Sequence, residues 1–240
     1  MLDYDGTLAP FHIERHEARP PRGAVERLRA IAAGPATTLA IVSGRPVREL
    51  DELLGPLDAV LVGEHGWEHK AVLDDVVRHP VPEVARAALD SAASAAVARG
   101  WGDRLERKRA SLVLHTRGLA PALAVELERA CAIVWGEALE RNDAFRLTRT
   151  HGAIELRASG LHKGTAVREL MAAMPGAYPV YVGDDESDED AFREVRGRGL
   201  GIRVGPYERP SLAEGRLDSP RSVVSFLRAW LAVVERRSGA

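Results

Sequence analysis

Asp3-Tyr4-Asp5-Gly6-Thr7-Leu8 sets two carboxylates two residues apart, just ahead of a glycine that permits a sharp turn. In such a pair one carboxylate can attack an electrophile or hold a cation while the other moves a proton. Alone, the segment also reads as an Asp-Gly turn, or as the start of a calcium loop whose remaining ligands are missing. A second acidic segment weights the choice toward chemistry. Gly183-Asp184-Asp185-Glu186-Ser187-Asp188-Glu189-Asp190 packs six acidic side chains into seven residues, directly after an apolar run. Glu186, Glu189 and Asp190 suit the first turn of a helix, where negative charge is favoured. Asp184 and Asp185, at a strand end, point to a hard divalent cation that offsets their repulsion. Two further residues carry chemistry: Ser43 in Ser43-Gly44-Arg45-Pro46, which can bind an anion or cap a helix, and Lys163, which can neutralise charge or sit on the surface.

The elements that must hold these residues alternate apolar runs with amphipathic stretches. The spacing predicts a helix over 23–33, a buried strand over 38–42, a helix from Pro46 through about Leu54, and a strand over 59–62 ending at Gly63. That rhythm returns at the end of the chain as a helix over 163–173, a strand over 179–182, a short helix over 188–195, a strand over 200–204 and a closing helix over 222–235. Ligands of an open α/β sheet bind beyond the carboxyl ends of its strands, so Asp3, Ser43 and His65 are expected in one crevice. The middle differs: an Ala-rich helix over 82–99, strands over 103–108 and 112–116, a helix from Pro121, then strands over 145–148 and 154–157. The predicted fold is an α/β protein, a Rossmann-like doubly wound parallel sheet with an inserted smaller α+β cap domain. The catalytic core is expected over 1–76 and 160–240, and the cap over 77–159.

Composition bounds the function. The 240 residues are 28% charged and 45% hydrophobic, the balance of a folded enzyme. Lys plus Arg number 33 against 35 Asp plus Glu, a net charge of -2, so no global basic field favours nucleic acid. No run is long enough to span a membrane and no signal-like leader is seen, so a cytoplasmic protein is expected. A single cysteine, Cys131, excludes an intramolecular disulfide and reads as core on an apolar helix face, while His151 and His162 read as loop histidines. Only Met1 and Leu2 precede Asp3. A central strand that short would leave neighbouring backbone groups unpaired, so the natural chain is expected to begin upstream.

Taken in order, Asp3-Tyr4-Asp5-Gly6-Thr7, Ser43-Gly44-Arg45, Lys163-Gly164 and Gly183-Asp184-Asp185 with Asp188-Glu189 resemble the four motifs of haloacid dehalogenase superfamily phosphatases. The resemblance spans nearly the whole chain. It implies Asp3 as nucleophile, Asp5 as general acid and then base, Ser43 and Lys163 on the phosphoryl group, and Mg2+ held by Asp3, the Asp5 main-chain carbonyl and Asp184. Asp188 would position Lys163, with Asp185 in the outer metal shell.

Other segments are similar to the trehalose-6-phosphate phosphatase branch: Gly63-Glu64-His65-Gly66-Trp67-Glu68, then Glu106-Arg107-Lys108 with Ser111 and His115-Thr116-Arg117, then Glu155-Leu156-Arg157. By that likeness Glu106, Lys108 and Glu155 contact sugar hydroxyls, while Arg45, His65, Gly66 and Arg117 complete the substrate site. The implied reaction is hydrolysis of trehalose 6-phosphate, a small-molecule sugar phosphate, with a functional link to a trehalose-6-phosphate synthase. The insert would act as a lid on hinges at 76–80 and 159–162. His162 replaces the branch's acidic residue and Thr116 its aromatic. Another sugar phosphate as substrate, and a non-catalytic sugar-phosphate sensor, are the alternatives.

Overall fold

The computed structural model describes residues 1–140, 144–150, 152–206 and 210–238; His151 lies outside them. Helix α1 (Ala24–Ala32) buries Ala24, Leu28 and Ile31, a stripe spaced four and three apart. Strand β1 (Ala40–Val42) is buried along its whole length and pairs in parallel with β2 (Val60–Gly63), with Ala40 opposite Val60 and Val42 opposite Val62. Parallel neighbours need a crossover, and α2 (Val47–Leu54) supplies it, burying Val47, Leu50 and Leu54. Two short antiparallel strands, β3 (Glu68–Lys70) and β4 (Val77–Arg78), extend this edge.

Residues 79–161 form a compact unit of their own. In it α3 (Glu83–Val97), β5 (Leu105–Arg107), β6 (Ser111–His115), α4 (Pro121–Glu140), β7 (Phe145–Thr150) and β8 (Ala153–Ala158) follow one another. The strands make an antiparallel sheet in the order β5-β6-β8-β7. Side chains alternate along each strand. Leu112, Leu114, Ile154 and Leu156 are fully buried on one face, and α3 and α4 pack on the sheet with buried Leu89, Cys131 and Trp135. Glu106, Ser111, His115 and Glu155 take the alternate positions and form a polar face. Burial pushes the Cys131 thiol up to about 12, with Glu128 adding to the effect, so it stays a neutral core side chain.

The other unit, residues 1–78 with 162–240, resumes with α5 (Lys163–Ala173), β9 (Val180–Gly183), α6 (Glu189–Val195), β10 (Leu200–Val204), β11 (Gly215–Leu217) and α7 (Pro220–Ser238). Strands β9, β10 and β11 are parallel. Leu2 bridges Ile41 on one side and Val182 on the other, so residues 1–3 join both strand runs into one sheet. Its two faces are covered separately. Ile41, Leu61 and Val182 pack with residues of α1, α2 and α7, whereas Ala40, Val42, Val62 and Tyr181 pack with α5 and α6. This is the expected doubly wound α/β arrangement, in which buried parallel strands read as continuous apolar runs. No described helix is long and apolar enough to cross a membrane.

Candidate active site

Asp3, Ser43 and Gly183 each end a central parallel strand on the same side of one sheet, and this alone gathers their loops. After Asp3 the chain turns back at once: the N–H groups of Leu8 and Ala9 both donate to the Tyr4 carbonyl at 2.9 Å. Gly6 adopts φ +79°, and a Cβ there would lie 2.1 Å from an Asp184 oxygen. Glycine is therefore required on two counts, for the turn and for the approach to Asp184. Thr7 Oγ1 completes the junction by donating to Asp184 Oδ1 at 3.2 Å.

Lys163 opens α5 and reaches inward, its Nζ 2.8 Å from Asp3 Oδ1 and 2.7 Å from Asp188 Oδ1. All three residues are at most 4% exposed. Asp188 is saturated with donors. Its Oδ1 also accepts from the Tyr181 hydroxyl at 2.6 Å, and its Oδ2 accepts from the N–H groups of Asp184 and Asp185 at 2.9 and 3.0 Å. Asp185 Oδ1 in turn accepts from the Ser187 N–H and hydroxyl, both at 2.7 Å. Tyr181 was not among the residues expected from sequence. The signal for it is a tyrosine inside an apolar strand, whose buried hydroxyl must find a partner.

The charges do not balance within the protein. Burial, with Asp188 and Asp185 adding to it, pushes Asp3 above the usual carboxylate range against the pull of Lys163. Asp184 is driven well above that range by burial, then by Asp185, Asp3 and Asp188. Asp185 is held below it, because Lys163 and the Ser187 hydrogen bonds outweigh burial. For Lys163 burial works against the charged form, but Asp188 and Asp3 prevail and hold it well above its ordinary value. One lysine thus faces several close carboxylates. Carboxylate oxygens of Asp3, Asp184 and Asp188 lie within 4.8 Å of one another, a donor set that fits a hard cation. Because Asp188 already accepts from four donors, Asp3 and Asp184 are the carboxylates left to take it.

The Ser43 loop is pinned to the loop that carries His65. The Ser43 carbonyl accepts from His65 N–H and the Arg45 carbonyl from Glu64 N–H, each at 2.9 Å. Glu64 and His65 sit at φ 45° and 59°, a left-handed conformation that costs non-glycine residues about 1–3 kcal/mol each and persists only where surroundings enforce it. His65 lies against Gly44, where a Cβ would come within 2.6 Å of Nε2. Gly66 is buried beside it. Glu68 accepts from Val47 N–H at 2.8 Å and so caps α2, which begins after Pro46 with no cap of its own. Arg45 turns to Asp5, with Nε 2.7 Å from Oδ2 and Nη2 2.7 Å from Oδ1.

The remaining expected residues belong to the other unit. Ser111 Oγ donates to Glu155 Oε1 at 2.7 Å, and Lys108 Nζ stands 3.7 Å from the same oxygen. His115 Nε2 and Glu106 Oε2 are 2.8 Å apart. Glu106 and Glu155 both pair with Val113, which sets them on one face of the sheet. Arg117 lies two residues past β6, where its N–H donates to the Gly152 carbonyl at 3.2 Å. Thr116 donates to Glu128 at 2.9 Å and is buried.

Comparison with known proteins gives this arrangement relatives. The trehalose-phosphatase family model matches residues 1–221. A probable trehalose-phosphate phosphatase of Sinorhizobium fredii is 30% identical over 95% of the chain and 86% of that protein. A bifunctional trehalose-6-phosphate synthase/phosphatase of Thermoproteus tenax is 30% identical over 95% of the chain, which covers 31% of that protein. The chain spans less than a third of the length of several curated relatives it matches. In fold it is similar to the C-terminal domain of the Candida albicans trehalose-6-phosphate phosphatase, with a TM-score of 0.84 at 21% identity, covering 97% of this chain and 91% of that one.

Proposed function

The chain belongs to the trehalose-phosphatase family, a family of phosphoric monoester hydrolases, and from that premise we propose that it hydrolyses trehalose 6-phosphate to trehalose and phosphate with magnesium as cofactor. The observation that carries the reading is the buried Asp3–Lys163–Asp188 array beside Asp184. Lys163 holds one oxygen of Asp3 and leaves the other to attack. In the proposed reaction that oxygen bonds to phosphorus as the bond from phosphorus to the sugar oxygen breaks, leaving an aspartyl phosphate. Asp5 gives its proton to the departing sugar oxygen, then takes one from the water that hydrolyses the aspartyl phosphate and frees Asp3. Ser43 and Lys163 meet the charge that builds on the phosphoryl oxygens. Asp3, the Asp5 carbonyl and Asp184 would hold magnesium, which would supply positive charge that screens the nucleophile from the phosphate dianion. Asp188 and Asp185 fix Lys163 and the Asp184 loop.

Substrate choice falls to Glu106, Lys108, Arg117 and Glu155, with His65 and Gly66. The charged groups among them suit sugar hydroxyls, since charge-assisted hydrogen bonds are the stronger ones. The fused synthase of the Thermoproteus tenax relative supports a functional link between this chain and an enzyme that makes its substrate.

Phosphate release from trehalose 6-phosphate, glucose 6-phosphate and p-nitrophenyl phosphate, with magnesium and with chelator, tests the reading. Magnesium-dependent preference for trehalose 6-phosphate is expected. Turnover of the aryl ester alone would move the substrate elsewhere, and no turnover by the wild-type chain would sink the reading.

A further inference from the structure

The loop that carries Ser43 runs straight into α2, and the first N–H groups of a helix have no partner within it. Val47 is fully buried, so water does not serve its N–H, and Pro46 before it has no side-chain acceptor. The acceptor comes from β3 instead: Glu68 Oε2 lies 2.8 Å from Val47 N. Glu68 is 4% exposed, and its other oxygen accepts from Arg78 Nε at 3.0 Å, across the β3–β4 pairing in which the two residues stand opposite. Arg78 itself is half exposed. The junction has little room, since a Cβ on Gly63 would come within 2.7 Å of Val47 N and 2.9 Å of the Arg45 carbonyl oxygen. At the other end of the loop the Ser43 N–H donates to the Val62 carbonyl at 2.9 Å, and the Arg45 N–H donates to Ser43 Oγ at 3.2 Å. The hydroxyl oxygen is thus held from behind, while its proton can serve an acceptor.

We propose that Glu68 is the positioning residue of the Ser43 loop: by capping α2 from the neighbouring strand it fixes where the helix starts, and with it the point from which Ser43 donates to the phosphoryl group. The inference rests on Ser43 meeting that group, as in the proposed reaction. Glu68 acts through the reach of its oxygen to Val47, not through its charge. Geometry at this level matters, because a displacement of about 1 Å can cost roughly 10²-fold in rate.

Two conservative variants separate reach from charge. Glu68→Gln keeps an oxygen that can accept from Val47, and the half-exposed Arg78 can turn from the new amide to water. Glu68→Asp keeps the charge but is one methylene too short. With kcat/KM for p-nitrophenyl phosphate referred to the folded fraction, read from thermal unfolding of each variant, Glu68→Gln is expected within about threefold of wild type and Glu68→Asp to lose about tenfold or more. Added to Ser43→Ala, Glu68→Asp should cost no more than about twofold further, because residues that act through one another do not give independent losses. Glu68→Asp as active as Glu68→Gln, losses that multiply in the double variant, or a Ser43→Ala variant as active as wild type would overturn the inference alone. A wild-type chain inert toward both p-nitrophenyl phosphate and trehalose 6-phosphate would overturn it together with the proposed function.

Discussion

Lys163 Nζ lies 2.8 Å from Asp3 Oδ1 although 160 positions separate the two residues in sequence. The pairing joins the first turn of α5 to the turn after Leu2, and Asp188 shares the same ammonium at 2.7 Å. It makes one residue responsible both for holding the proposed nucleophile and for keeping two buried carboxylates compatible with folding.

Replacing Lys163 with methionine should therefore do two things at once. Two buried carboxylates lose their counter-charge, a loss of about 3–5 kcal/mol by the cost of breaking a buried ion pair, and phosphate release should fall to background. Denaturant unfolding beside a turnover assay checks both. Unchanged stability would show that Asp3 and Asp188 are compensated elsewhere.

Tyr181→Phe removes only the hydroxyl bound to Asp188 at 2.6 Å. A hydrogen bond to a charged group contributes about 1.5–3 kcal/mol, and the ring itself stays packed in T-shaped contact with Phe192. We expect a stability loss in that range with activity reduced only several-fold, since Lys163 and two backbone N–H groups still hold Asp188. Loss of activity as deep as that of Asp3→Asn would instead give Tyr181 a direct part in the chemistry.

On the proposed reading magnesium should raise the thermal unfolding midpoint, because a ligand that binds the folded carboxylate cluster and not the unfolded chain stabilises the fold. Asp184→Asn removes a carboxylate crowded by Asp3, Asp185 and Asp188, so the metal-free variant is expected to melt no lower than wild type and to lose the magnesium shift. A shift that survives in Asp184→Asn would place the ion at other ligands.

Glu155→Gln keeps the shape of the side chain that accepts from Ser111 and faces Lys108. If this group serves the sugar, KM for trehalose 6-phosphate should rise about tenfold or more while kcat/KM for p-nitrophenyl phosphate stays within about twofold. Equal losses on both esters would mark Glu155 as structural.

The sequence carried the fold at the level of long apolar runs. Ala40–Val42, Val60–Gly63 and Val180–Gly183 are buried strands whose pattern needs no partner to be read, and their polar ends announce Ser43, His65 and Asp184. Less was legible where pairing makes the element. Glu68-His69-Lys70 has no apolar alternation and becomes β3 only against β2, and Gly215–Leu217 becomes β11 only against β10. The same holds in the site. The motif residues stand out in the sequence because their types suit the chemistry, but the bond from Arg45 to Asp5 spans 40 positions and that from Glu68 to Val47 spans 21. No local pattern encodes such partners, so the pairing of Arg45 with Asp5 could not be read from the sequence.

The central claim is that Asp3 carries the phosphoryl group. Rapid-quench mixing of the magnesium-loaded protein with trehalose 6-phosphate labelled in its phosphate tests this most directly. Acid-stopped samples should carry label on the peptide that contains Asp3, appearing before free phosphate and chasing into it, and Asp3→Asn should carry none. Phosphate released in a single turnover with no label on the protein, or with label on another residue, would contradict the account.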